Sequence, residues 1–211
     1  MTMFEALLVV VLLAMLAVLL MPAVLPHHHH HHPYRINCVN NLKQIGLAYQ
    51  IWAGDNQNKY PMEISVTNGG TMELAAAGNV VANFQILSNE LSDPKILCCG
   101  LDDKRSIATN FSVKFTAKNI SYFVAVDATA MKSPTNFLSG DDSFEISGKP
   151  VDSGLLELPR DAPVTWNPKR HSAGNILFAD GNVTVGSQSM KPTLTYLLKQ
   201  TGLATNRLAL P

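Results

Sequence analysis

Neither sign of charge predominates in this chain. Sixteen Lys and Arg balance sixteen Asp and Glu over 211 residues, which excludes the basic excess of a general nucleic-acid binder. Charged residues make up 15% of the chain, against roughly 25% in an average soluble protein. Three cysteines are too few for a disulfide-dense miniprotein. With no C-x-x-C or C-x-x-C-H spacing, they signal neither a thioredoxin-like site nor a c-type haem. No Ser or Cys stands in a nucleophile elbow, and no convergent set of polar residues marks an active site, so the chain reads as a non-enzyme. The length allows one domain plus a segment that folds against something else, and the 46% apolar content excludes general disorder.

The apolar residues are concentrated at the start. Residues 1–26, MTMFEALLVVVLLAMLAVLLMPAVLP, hold one ionisable side chain, Glu5. About 20 apolar residues cross a bilayer core as a helix. A helix apolar on every side sits in lipid or among like helices, since a core helix of a globular domain shows a polar face. A secretory signal would need a positive n-region, and residues 1–5 contain no Lys or Arg. Glu5 is costly at the edge of such a helix, by about 2–3 kcal/mol or more, and is therefore a functional-site hypothesis by default. In an apolar bundle it needs a positive partner. The terminal amine of Met1 on a neighbouring copy is the other charge at hand, and pairing the two would set axial register. Pro22, Pro26 and Pro33 each remove a helix hydrogen bond, which predicts an interruption between about residues 20 and 33.

Phe4-Glu5 followed by ALLVVVLLAMLAVLLMPA resembles the N-terminus of a mature type IV pilin or type II secretion pseudopilin. In that family a prepilin peptidase removes a short basic leader and methylates the new first residue. Glu5 and Pro22 fall in register with the family's glutamate and proline when Met1 is the first mature residue. The resemblance implies an α+β, pilin-like fold, with a long N-terminal helix packed on an antiparallel β-sheet head. It divides the chain into 1–33, apolar helix and His-rich linker serving as filament core or membrane segment, and 34–211, the head with the second half of the helix. The implied function is that of a structural subunit of a surface filament, assembled by an inner-membrane platform with an ATPase motor. It would reside in the inner membrane first and at the cell surface afterwards. A periplasmic pseudopilus that drives protein export is the alternative.

His27, His28, His29, His30, His31 and His32 form a run that fits either an affinity tag or a native low-complexity segment. Histidines can ligate transition metals or gain charge below about pH 6, so these six are weak metal candidates, and no metal site is assigned. Beyond them, Cys38, Leu42, Ile45, Tyr49 and Trp52 are spaced as one stripe of an amphipathic helix over 34–53, ended by Gly54-Asp55-Asn56. Residues 61–80 read as loop, 81–92 as a short helix with Phe84, Leu87 and Leu91 on one side, and 95–99 as a buried strand. ISYFVAV at 120–126 is the clearest central strand. Apolar residues at 175–179 and 182–185 flank Asp180-Gly181, which predicts a hairpin with a two-residue type I′ turn. Residues 193–200 read as a last helix and 203–211 as a tail.

RINCVNNLKQIGLAYQIWAGDNQNKYPM and RHSAGNILFADGNV resemble one branch of the pilin-like family. That branch has a C-terminal His, nine residues, then Asp-Gly, whereas eight separate His171 from Asp180 here. The motif reads as structural, with Asp180-Gly181 in the turn and His171 hydrogen-bonded within the head. The resemblance also implies a Cys38–Cys99 disulfide, because Cys-Pro is common in the family where this chain has Cys99-Gly100. A vicinal Cys98–Cys99 bridge and three reduced thiols remain open. Some relatives of this kind bind calcium in a C-terminal loop. Asp102-Asp103 and Asp141-Asp142 are the acidic pairs, read as solvated turn residues without calcium-loop spacing.

Overall fold

A computed structural model describes residues 2–24, 32–112, 114–131, 133–167, 173–186 and 193–211, with side chains described for 2–18 and from 36 onward. The chain divides into two compact units, 1–32 and 33–211. In the first, helix α1 spans Met3–Val24, so Pro22 lies within the helix; residues 25–31, which hold most of the expected interruption, lie outside the described residues. Pro22 withdraws one N–H bond from that helix but does not break it there. Among the described residues no helix is long and apolar enough to cross a membrane. The membrane segment expected from the sequence is thus not met among them.

In the second unit, α2 spans His32–Asp55. The stripe read from its sequence is the face it buries: Cys38, Leu42, Ile45 and Tyr49 are fully buried, and Trp52 nearly so. The stretch expected to be loop after it holds two 3-10 turns, Pro61–Glu63 and Val66–Asn68, and helix α3, Met72–Ala76. The single helix expected at 81–92 is two, α4 (Val80–Gln85) and α5 (Ser88–Leu91). Phe84, Leu87 and Leu91 all point inward, as their spacing predicts. The strand expected at 95–99 is a 3-10 turn, Pro94–Leu97. Asp93 caps that turn, its Oδ1 accepting from Lys95 N at 2.9 Å, and Pro94 at the first position favours helical backbone.

Nine strands follow among the described residues: β1 (Tyr122–Ala125), β2 (Phe137–Asp141), β3 (Phe144–Ile146), β4 (Lys149–Pro150), β5 (Gly154–Pro159), β6 (Val164–Trp166), β7 (Asn175–Phe178), β8 (Val183–Val185) and β9 (Thr205–Leu210). Helix α6, Leu194–Gln200, lies between β8 and β9, where a last helix was expected. The main sheet is antiparallel with order β5-β9-β1-β2-β7-β8, and a small sheet has order β4-β3-β6. The α+β class and the antiparallel head therefore hold. β1 is buried at all four positions, as its aromatic and β-branched residues predict. The expected tail is instead strand β9, inserted between β5 and β1. Asn206, Leu208 and Leu210 are buried on it, and Asp127 accepts hydrogen bonds from the Arg207 backbone N and guanidinium.

The turn at Asp180-Gly181 also differs from expectation. A type I′ turn needs positive φ at both residues; Gly181 has φ 86°, and Asp180 is not in that region. Gly181 N donates to Phe178 O at 3.0 Å and Phe178 N to Asn182 O at 2.9 Å. The loop is thus three residues, 179–181, with Gly181 as the left-handed residue that closes it. A chain of aromatic contacts joins the two sheets, running Phe178–Phe137–Phe123–Phe144–Trp166, with ring centroids 5.7 to 6.4 Å apart.

Candidate functional site

Two places bring sequence-predicted residues together on α2. At the first, α2 meets the Asp180-Gly181 turn. Gly46 brings α2 close to β7: a Cβ there would lie 2.9 Å from Leu177 Cδ1, whose side chain would have to shift. One turn on, Gln50 Nε2 donates to Asp180 O at 3.3 Å. Just past the helix, where Gln57 and Asn58 both take positive φ, the chain reverses and Tyr60 returns to the same turn. Its hydroxyl donates to Ala179 O at 2.7 Å, and its ring meets Tyr49 edge-on at 5.5 Å. Burial, with the negative charges of Glu63 and Asp180, pushes the Tyr60 phenol up to about 12. The Asp180 carboxylate accepts from Asn182 N at 2.8 Å and Asn182 Nδ2 at 2.6 Å, so it is spent on holding the turn. Asp180-Gly181 is a saddle for α2. His171, the other half of the motif, lies outside the described residues. A cleft of about 500 Å³ opens on the other side of the turn, towards Thr184 and Tyr196.

At the second place, Cys38 on α2 meets Cys99, which follows the 3-10 turn at Pro94–Leu97. Their sulfurs are 2.6 Å apart, and both residues are buried, at 0% and 1% exposure. Asp141, on β2, completes a group whose ligand atoms all lie within 4.8 Å of one another. Tyr122, its register partner on β1, accepts a hydrogen bond from Asn41 Nδ2 at 3.3 Å. Burial first, then the charge of Asp141, holds the Tyr122 phenol well above its ordinary range.

Asp141 and Asp102 are not the solvated turn residues their sequence suggests. Asp141 is fully buried within β2, accepting at Oδ2 from Asn175 N at 2.7 Å and Asn175 Nδ2 at 2.8 Å. Asp102 is also buried and accepts from Ser121 Oγ at 2.8 Å. Arg105 stands between the two acidic pairs, 3.7 Å from Asp102 and 3.0 Å from Asp142. Calcium does not fit there, because a guanidinium already takes the cation's place. Sequence reasoning missed Tyr60, Gln50 and Arg105. Nothing local marks them, since their partners lie 119, 130 and 37 residues away.

In the first unit, Thr2 and Glu5 cap the start of α1 reciprocally. Thr2 N donates to Glu5 Oε2 at 2.9 Å, and Glu5 N to Thr2 Oγ1 at 3.4 Å, a capping box. Met1 and histidines 27–31 lie outside the described residues, as does the side chain of His32. The chain matches no family model, no curated protein and no solved structure.

Proposed function

We propose that this chain is a structural subunit of a type IV pilin-like filament, held together through α1. One observation carries the reading. Leu7, Leu8, Val9, Val10, Val11 and Leu12 are consecutive large apolar residues of α1, all exposed, by 47 to 64%. Six in a row cover every side of a helix, so this unit has no face suited to water. Covering it with copies of itself removes that area from water at about 25 cal/mol per Å². Relative to lipid, which is equally apolar, the gain comes from close packing and from polar groups that fix register.

Glu5 is that polar group. Within one chain its carboxylate is engaged by Thr2; between copies it would take the more strongly charged partner, an N-terminal amine. The head would form the outer wall, its sheet carried on the buried stripe of α2.

The test is to image sheared cell-surface material by cryo-electron microscopy and to weigh the N-terminal peptide from the same sample. Filaments built of this chain, beginning at a methylated Met1, are expected. A processed chain retained at the inner membrane without filaments would overturn the surface filament in favour of an export pseudopilus. Glu5→Gln should lower filament yield while the chain is still processed; an unchanged yield would refute the charge-pairing role.

A further inference from the structure

The geometry beneath α2 points to a disulfide between Cys38 and Cys99, closed before α2 docks, with Cys98 keeping its thiol. The inference is independent of the filament reading. The two sulfurs come from elements 61 residues apart and face each other across the head's core at 2.6 Å. The same group could be read as a metal site with Asp141 as third ligand. The spacing argues against that, because two thiolates on a tetrahedral zinc, each about 2.3 Å from the metal, stand about 3.7 Å apart. A shared ion would have to push α2 away from the strands on which its whole buried stripe rests. A covalent bond asks only that the sulfurs close the remaining gap.

Chemical access fixes when the bond forms. Both cysteines are buried, so no oxidant reaches them in the folded head, whereas Cys98 is half-buried. The step is a thiol–disulfide exchange: Cys38 and Cys99 give up their S–H bonds and form one S–S bond. The disulfide of a protein or small-molecule oxidant takes up both protons and both electrons and leaves as two thiols. That chemistry requires an oxidising compartment, so the head matures outside a reducing cytosol.

The test uses the full chain produced in an oxidising bacterial periplasm, unfolded in denaturant without reductant, alkylated and weighed intact. One alkyl group is expected on the wild type, none on Cys98→Ser and two on Cys99→Ser. A Cys38 peptide should stay linked to the peptide carrying residue 99 in Cys98→Ser. Three alkyl groups on the wild type would overturn the proposal, as would loss of the link in Cys98→Ser. The wild-type count needs no variant to fold and no filament to form.

Discussion

Replacing Tyr60 by Phe isolates the contact that closes the turn at Asp180-Gly181 over α2. The ring stays, 2% exposed and edge-on to Tyr49, so packing is preserved and only the hydroxyl is lost. What remains is the Ala179 carbonyl, deprived of a donor at 2.7 Å. A hydrogen bond contributes about 1 kcal/mol net, and stranding a buried partner costs about 1–3 kcal/mol; about 1.5 kcal/mol is the working figure. With a urea slope near 2 kcal/mol/M, the unfolding midpoint should fall by about 0.7 M. The pH dependence supplies an independent check. The folded phenol is raised to about 12 from the usual 10, so between those values the unfolded chain has lost this proton and the folded chain has kept it. The unfolded state then binds fewer protons, and stability falls as pH rises through that window. Wild type carries this loss and Tyr60→Phe does not, while Tyr49 and Tyr122 are common to both. The gap between the two proteins should therefore narrow from pH 9 and close near about pH 11. A midpoint shift that is negligible at pH 8, or a gap that stays constant through pH 12, would refute the assignment.

Other substitutions test the packing and the staple. Gly174→Ala places a Cβ 2.1 Å from Trp166 Cζ3, against a ring 1% exposed and held edge-on by Phe144. It should cost about 3 kcal/mol, lowering the melting temperature by about 6–12 °C. Gly54→Ala, with nothing within 4 Å of the new Cβ, should gain about 0.5–1 kcal/mol from helix propensity; a shared sign for the two in calorimetry would refute the packing account. For the proposed disulfide, a closed loop of about 61 residues contributes about 4 kcal/mol in the loop-entropy model. Cys38→Ser should fall short of oxidised wild type by that order in urea, and a deficit under about 1 kcal/mol would contradict the model.

What the sequence makes legible follows from the range of the interactions. The stripe on α2, the run at β1, the last helix and the existence of the β7–β8 hairpin are each set by spacing or turn chemistry within a dozen residues, and each forms where that spacing places it. Strand β9 was illegible because a short TNRLAL becomes a central strand only once β5 and β1, some fifty and eighty residues earlier, flank it. The 3-10 turn at Pro94–Leu97 was legible in principle: Asp-Pro before a short apolar run is a cap signal, and it outweighed the β-like composition.

The acidic pairs show why charge is the least local signal of all. Asp141-Asp142 reads as a solvated turn because burying a lone carboxylate is costly. Asn175, 34 residues on, supplies two donors to Asp141, while Asp142 meets Arg105. Asp141 closes β2 and Asp142 lies just past it, so the two neighbours meet different partners, and only the fold reveals which partner each receives. The same reasoning makes the site on α2 a matter of assembly within the head. Gly46 gives the sheet its close approach, Gln50 and Tyr60 grip the turn from two sides, and Cys38 reaches Cys99 farther along the same helix. Each contact fixes α2 at a different point along its length. A load applied through α2 would therefore pass into the sheet at several places rather than peel the helix from one end, as a subunit held in a filament by its N-terminal helix would need.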